Sequence, residues 1–208
     1  MTQGRRAEHN RQDILEKGMQ LFNQQGYHGT GLTTILKACQ VSKGSFYNFF
    51  NSKEEFAVEL IGHYRSIECE RWEAEFAKLS CPQFEKMRIM LEREIHKFES
   101  EEEHFGCLIA NLSGELGNAS HAFKEAIRQS TTDVLQAIEL DFIQCQADGS
   151  VRTDLSAKQL SHIFWDSWQG ALLRMKVESS TTPLRELLDL YWNHILPPQE
   201  KRKTNNDL

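Results

Sequence analysis

Between Thr33 and Lys53 the chain carries side chains suited to gripping a polyanion and reading its bases. Lys43 offers a point charge for phosphate or guanine, Ser45 and Asn48 can hydrogen-bond base edges, and Tyr47 can donate to phosphate. Gly44 lets backbone approach backbone. Lys53 adds an ammonium and, at a helix start, a backbone N–H; Thr33 is similarly placed one helix earlier. Phe46, Phe49 and Phe50 have the 3- and 4-residue spacing of a packed helical face, which leaves the polar set outside. A second chemically distinct position is Cys107, which follows Gly106. No H-E-x-x-H, G-x-S-x-G, P-loop or G-x-G-x-x-G run occurs, so no enzyme, metal site or cofactor is expected.

Helices must position these groups. Ile14, Leu15, Met19, Leu21 and Phe22 predict a helix over 8–25, closed by Gly26. LTTILKAC then forms a short helix with Leu32, Ile35 and Leu36 as its apolar face. Ser42 is a good N-cap for a second short helix, SFYNFF. Two short helices joined by a tight turn over 32–50 make a helix-turn-helix, the second helix entering the major groove. Ser52 with Glu55 suggests a capping box for a helix reaching about residue 79. Further helices are expected over 83–100, from 106–107 to 117–118, over 120–145, from a cap at Asp154 or Ser156 to 177, and from Pro183 to about 196. The fold class is therefore all-α, with about nine helices: a three-helix helix-turn-helix head over 1–53, a helical regulatory and dimerisation domain over 54–196, and a disordered tail over 197–208.

Of the 208 residues, 26% are charged and 39% hydrophobic, an ordinary globular composition. No apolar run nears the ~18 residues of a membrane span. The start, MTQGRRAEHNRQ, has no apolar signal core, so a cytoplasmic protein without a membrane partner is expected. The five cysteines (Cys39, Cys69, Cys81, Cys107, Cys145) are odd in number and widely spaced, which argues against disulfides and structural zinc. Net charge is −6, yet the first 53 residues hold seven Lys/Arg against three Asp/Glu, a local +4 that leaves −10 for the rest. A basic head on an acidic body suits a protein that meets DNA with one end only.

The run TGLTTILKACQVSKGSFYNFFNSKEEF resembles the DNA-binding head of TetR-family repressors. The matching residues are Gly26, Tyr27, Thr30, Ala38, Val41, Ser42, Lys43, Gly44, Ser45, Tyr47, Phe50, Ser52, Lys53 and Glu54. Asn48 departs from the His or Tyr of many members, which bears on base preference. The resemblance implies a homodimer on a double-stranded, palindromic operator. It also implies a ligand-binding body whose last two helices form a four-helix dimer bundle. Two terminal apolar faces agree with this. Phe164, Trp168, Leu172, Leu184, Leu188 and Tyr191 are the expected dimer contacts; packing on the body is the alternative use of the same faces.

HFGCLIANLSGELGN resembles a TetR subgroup with a Gly-Cys-Leu…Asn-Leu…Glu signature, which includes repressors of reductases for reactive electrophiles. That resemblance makes Cys107 a sensing thiol. A helix N-terminus favours thiolate, the preceding EEEH run opposes it, and a pocket-lining role is the plainer alternative. Lys176 is a candidate counter-charge, or else a solvated lysine. The expected sensor set is Cys107 with Phe105, Asn111, Met90, Phe123, Trp165, Trp168 and Lys176. Met87, Leu91, Phe98, Ile127 and Phe142 are further candidate liners. The expected function is a ligand- or redox-responsive repressor released by a small molecule or electrophile. The alternatives are an effector-independent regulator or activator, and an enzyme or carrier that retains the helix-turn-helix as packing.

Overall fold

A computed structural model of the chain describes residues 11–100, 106–116 and 120–198. The described residues form nine helices and no strand: α1 (Arg11–Gly29), α2 (Leu32–Cys39), α3 (Lys43–Tyr47), α4 (Lys53–Ala77), α5 (Gln83–Ser100), α6 (Leu108–Leu116), α7 (His121–Ala147), α8 (Ala157–Glu178) and α9 (Thr182–Leu190). α9 runs on into a π-helical turn, Tyr191–Ile195. The all-α expectation is met, and the caps show why the breaks fall where they do. Ser42 accepts from the Ser45 N–H at 3.0 Å, and Ser52 accepts from the Glu55 N–H at 3.0 Å. Ser156 and Gln159 make a reciprocal capping box. Among the described residues no helix is long and apolar enough to cross a membrane.

The described residues fall into two compact units. One lies within Met1–Trp72 and Phe105–Thr131, the other within Glu73–His104 and Thr132–Leu208. This packing division does not follow the boundary at residue 53 expected from chain order, because α6 and the start of α7 pack in the same unit as α1–α3. Phe105 and the tail beyond Pro198 lie outside the described residues.

The core of the first unit is aromatic. Phe22, Phe46, Phe50 and Phe56 are all but fully buried and meet mostly edge to face, with Phe50 and Phe56 centroids 4.9 Å apart and Phe46 and Phe56 5.4 Å apart. Gly18 allows this: a Cβ there would lie 2.3 Å from the Phe56 ring, so α1 and α4 approach closely only over a glycine. Arg11 pairs with Glu59 and lies over the Phe50 ring, 5.3 Å from its centroid.

In the second unit Met87, Met90, Leu91, Ile95 and Phe98 of α5 are buried, as is Phe142 of α7. Trp192 stacks on Phe84 and donates its indole N–H to the Phe84 carbonyl at 3.2 Å. Glu99 accepts both arms of Arg185 at 2.7 Å, tying α5 to α9. Tyr191 and Trp192, neighbours at the start of the π-helical turn, are both buried. The residues expected at a dimer contact have another place here. Phe164, Trp168, Leu172, Leu184, Leu188 and Tyr191 are all buried within the chain itself, at 7% exposure or less. The reason is that the strongest apolar face of a helix packs first on its own core. α8 and α9 leave a different set outside: Ile163, Leu173, Val177 and Leu190.

Candidate nucleic-acid interface and sensor thiol

α2, the turn after it and α3 form the predicted helix-turn-helix. α2 ends on Gln40, which takes the left-handed conformation (φ 55°) while its N–H and that of Val41 return to the last carbonyls of the helix. This sharp reversal points α3 away from α2. On α3, Phe46 is fully buried, while Lys43, Gly44 and Tyr47, and Asn48 at its C-terminal end, are exposed. The Lys43 ammonium lies 5.9 Å from the Tyr47 ring centroid. Ser45 is half-buried and its hydroxyl meets that of Ser42 at 2.9 Å, so it is partly engaged in the cap. Nothing in the chain requires glycine at position 44: a Cβ there would meet only the Ser42 Oγ, at 3.9 Å. Thr33 is exposed on α2, and so is Lys37 one turn later. Lys37 was missed in the sequence, although its i+4 spacing from Thr33 marks the same face.

Lys53 differs from the expectation of a free cation. Its Nζ donates to the Tyr27 carbonyl at 2.6 Å and lies 3.9 Å from the Tyr27 ring centroid. Burial pushes its pKa below the ordinary lysine value, and Glu115 pulls it back up. The ammonium is thus part of a turn. Gly26 (φ 70°) interrupts α1, and Thr30, fully buried, closes the turn by donating its hydroxyl to the Gly26 carbonyl at 2.7 Å. Glu115 of α6 accepts the His28 N–H at 3.1 Å, and its carboxylate lies against Gly26, where a Cβ would come within 2.1 Å of Oε1. Glu115 entered the sequence reading only as part of a signature.

Cys107 is half-buried at the head of α6, where its carbonyl accepts the Asn111 N–H at 3.1 Å, and it packs against the first unit's core. Gly106 before it has a φ of 71°. Cys39 and Cys145 are buried, and burial raises the pKa of both, that of Cys145 to about 11. The expected sensor set is divided between the units. Cys107, Asn111 and Phe123 belong to the first; Met90, Trp165, Trp168 and Lys176 belong to the second. Phe123 is a core residue there, edge-on to Tyr27 at 5.1 Å, as Trp168 is in the second unit, stacked on Phe164 at 6.1 Å. Two surface clefts contain none of the set. One, about 300 Å³, is lined by residues including Asp13, Lys17, Cys39 and Gln40; the other, about 140 Å³, by residues including Arg88, Arg185 and Asn193.

Comparison with known proteins agrees with the fold and the head. Residues 14–60 match the family described as bacterial regulatory proteins, tetR family, and residues 84–191 match the tetracyclin repressor-like C-terminal domain. The chain is 32% identical to the HTH-type transcriptional repressor DhaR of Mycobacterium sp. (strain GP1), over 91% of this chain and 94% of DhaR. It is 26% identical to the HTH-type transcriptional repressor NemR of Escherichia coli (strain K12), over 90% and 94%. The solved structure of the reduced form of E. coli NemR superposes with a TM-score of 0.82 at 25% identity, covering 89% of this chain and 96% of that one. A regulatory protein TetR from Rhodobacter sphaeroides gives 0.81 at 27% identity, covering 89% and 97%. The chain belongs to the TetR family, DNA-binding transcriptional regulators with a helix-turn-helix head and a ligand-binding C-terminal domain.

Proposed function

We propose that the chain is a repressor that binds a palindromic operator as a homodimer and is released when Cys107 is modified by an electrophile or oxidant. The observation that carries this reading is the division of labour on α3. A buried aromatic face holds the helix down, while Lys43, Gly44, Tyr47 and Asn48 stand outside with no packing role for Gly44. In the major groove, Lys43 and Tyr47 hold phosphate, Asn48 reads a base edge, and the bare Gly44 lets the groove come close. Thr33 and Lys37 grip the backbone from α2.

The second copy pairs along α8 and α9 through the residues those helices leave outside. Ile163, Gly170 and Val177 repeat every seven residues on α8, with Leu173 beside them and Leu190 on α9. Val177 is 85% exposed, and a Cβ at Gly170 would meet nothing within 4 Å. A helix-interior glycine costs roughly 0.5–1 kcal/mol, and close approach of a partner helix gives it a purpose.

Cys107 is the trigger in this reading because it is half-buried at the positive end of α6; Cys69 and Cys81 are also half-buried but lie in mid-α4 and in the link before α5, and Cys39 and Cys145 are buried. The similar E. coli NemR was solved in a reduced form, which fits a redox-responsive reading of this chain. Capping the thiol or oxidising it to sulfenic acid adds bulk and polarity at the head of α6. Two recognition helices that no longer match half-sites about 34–36 Å apart lose the operator. Coupling of about 1–3 kcal/mol corresponds to a 5- to 150-fold release. The test is a gel shift on the DNA upstream of the chain's own gene, with and without hypochlorite. Wild type should release DNA, and Cys107→Ser should bind and hold it. Equal release by the two proteins rules out Cys107 as the trigger and leaves an unreactive small molecule as the signal.

A further inference from the structure

α6 is the one helix of the first unit that carries the proposed trigger at its start, and its other end touches the turn beneath the reading head. Eight residues separate Cys107 from Glu115, a rise of about 12 Å along an α-helix. Glu115 meets the turn in three ways. Its Oε2 accepts the His28 N–H at 3.1 Å, one of the backbone donors at the break in α1. Its carboxylate occupies the space beside Gly26 that any side chain at 26 would need. Its charge acts on Lys53, whose ammonium is bound to the Tyr27 carbonyl.

From this arrangement we infer that Glu115 is a positioning residue for DNA binding: by accepting the His28 N–H it fixes the 26–30 turn from which α2, and through it α3, is presented to the groove. Thr30 fixes the same turn from within, through its hydroxyl on the Gly26 carbonyl, and leads through Gly31 directly into α2. The turn is therefore held from within by the Thr30 hydroxyl and N–H, by the Lys53 ammonium on the Tyr27 carbonyl, and by one carboxylate from α6. Withdrawing the carboxylate frees an N–H and removes the anion that Lys53 feels. α2 then starts from a turn that is no longer held at one angle. The inference rests on operator binding by α2 and α3, and it does not depend on Cys107 being the trigger.

The test compares Glu115→Ala, Glu115→Gln and Glu115→Asp in the full-length chain. It uses a labelled duplex spanning the DNA upstream of the chain's own gene, without oxidant, at a temperature where each variant is folded by circular dichroism. Glutamine keeps a neutral acceptor at the same reach. Aspartate keeps the charge but draws the acceptor back by one methylene. Glu115→Ala and Glu115→Asp should bind about tenfold or more weakly, the loss expected for a hydrogen bond to a charged group. Glu115→Gln should stay within about threefold of wild type, since a neutral bond retains much of that energy. Amide exchange at His28, taken relative to core amides such as that of Phe22, should speed up in the alanine and aspartate variants and stay slow with glutamine, whereas general destabilisation speeds all of them together. If Glu115→Ala does not fold, the Asp and Gln pair decides. Equal binding by Glu115→Asp and wild type, or binding by Glu115→Gln as weak as by Glu115→Asp, overturns the inference. Wild type that fails to bind the duplex at all sinks the functional reading instead.

Discussion

α3 and α8 are the two helices on which the functional reading rests, and they divide their residues in opposite ways. In α3 and the turn that follows it, Phe46 and Phe50 are all but fully buried, while the polar residues between them are exposed. A helix of five residues has room for one apolar face, so whatever is not in it must point outward. α8 has 22 residues and two apolar faces. The stronger face, with Phe164, Trp168, Leu172 and Met175, goes into its own core, and the weaker one, with Ile163, Leu173 and Val177, is left outside. Hydrophobicity ranks faces by how much they gain from leaving water, and the intramolecular core takes the first place. A surface available to a partner therefore has to be sought on the second-ranked face.

The most forceful way to break this comparison is to change one residue from each face. Phe46→Ala and Trp168→Ala should each lower unfolding free energy by about 3–5 kcal/mol, the range for a large aromatic removed from a core. Trp168→Glu should therefore unfold the second unit before it could produce a folded monomer. Val177→Glu or Leu173→Glu should leave the melting temperature of the fold nearly intact and convert a dimer to a monomer in sedimentation. A folded, monomeric Trp168→Glu protein would reverse the assignment of the two α8 faces.

How much could be read in advance follows the same divide. Ser42, Ser52, Ser156 and Pro183 mark helix starts through local hydrogen-bonding and φ preferences, and these need no tertiary information. The outward set on α3 was legible because its neighbours are phenylalanines. Lys53 was not, because its ammonium is captured by Tyr27, 26 residues away in sequence. Phe123 was read as a pocket liner, but the start of α7 packs in the head's own unit, where Phe123 meets Tyr27. Glu115 escaped for the same reason. A carboxylate on one helix that satisfies an amide on another leaves no periodic trace in either.

A second prediction sharpens the reading of α3. Asn48→Ala should cost about 1–3 kcal/mol on the preferred operator and flatten discrimination at one base pair, with no change in melting temperature because the side chain is exposed. Lys43→Ala should weaken all sequences alike and reduce the salt slope by about one phosphate contact. If the two variants gave the same sequence profile, α3 would be gripping the backbone and not reading bases.

The second unit also holds a half-buried carboxyl group. Asp141 on α7 accepts from the Gln83 amide at 2.6 Å, yet burial raises its pKa to about 6, the Gln83 bond opposing only part of that. Below the unfolded carboxylate pKa both states are protonated and the group is neutral toward stability. Between that value and about 6 the folded state keeps a proton that the unfolded state releases, so stability falls as pH rises, and above 6 the whole cost is present. Asp141→Asn should therefore stabilise the protein by about 1–2 kcal/mol at pH 8, after allowance for residual solvent contact. The gain should vanish near pH 4. Chemical denaturation at the two pH values checks this, and a gain independent of pH would mean that packing, not charge, limits the site.

The smallest effect compares the two units at a shared device. α2 and α8 each end on a residue in the left-handed region that is not glycine: Gln40 (φ 55°) and Ser179 (φ 48°). In both, the next N–H reaches back five residues, Val41 to the Leu36 carbonyl at 3.0 Å and Ser180 to the Met175 carbonyl at 3.3 Å. A Cβ is disfavoured in this conformation by about 1 kcal/mol, and glycine removes the penalty at some cost in unfolded-chain entropy. Gln40→Gly and Ser179→Gly should each stabilise by roughly 0.5–1 kcal/mol, visible as a small rise in melting temperature. Their functional consequences should part. Ser179 closes α8 far along the chain from the reading head, so Ser179→Gly should bind operator as wild type does. Gln40 forms the turn that aims α3, and its exposed amide sits beside the proposed DNA face. Gln40→Gly should therefore gain stability while losing a few-fold in operator affinity, if the side chain or the stiffness of the turn serves DNA. Equal operator binding by the two variants would show that Gln40 closes a helix and nothing more, and would confine the interface to α3 and the exposed face of α2.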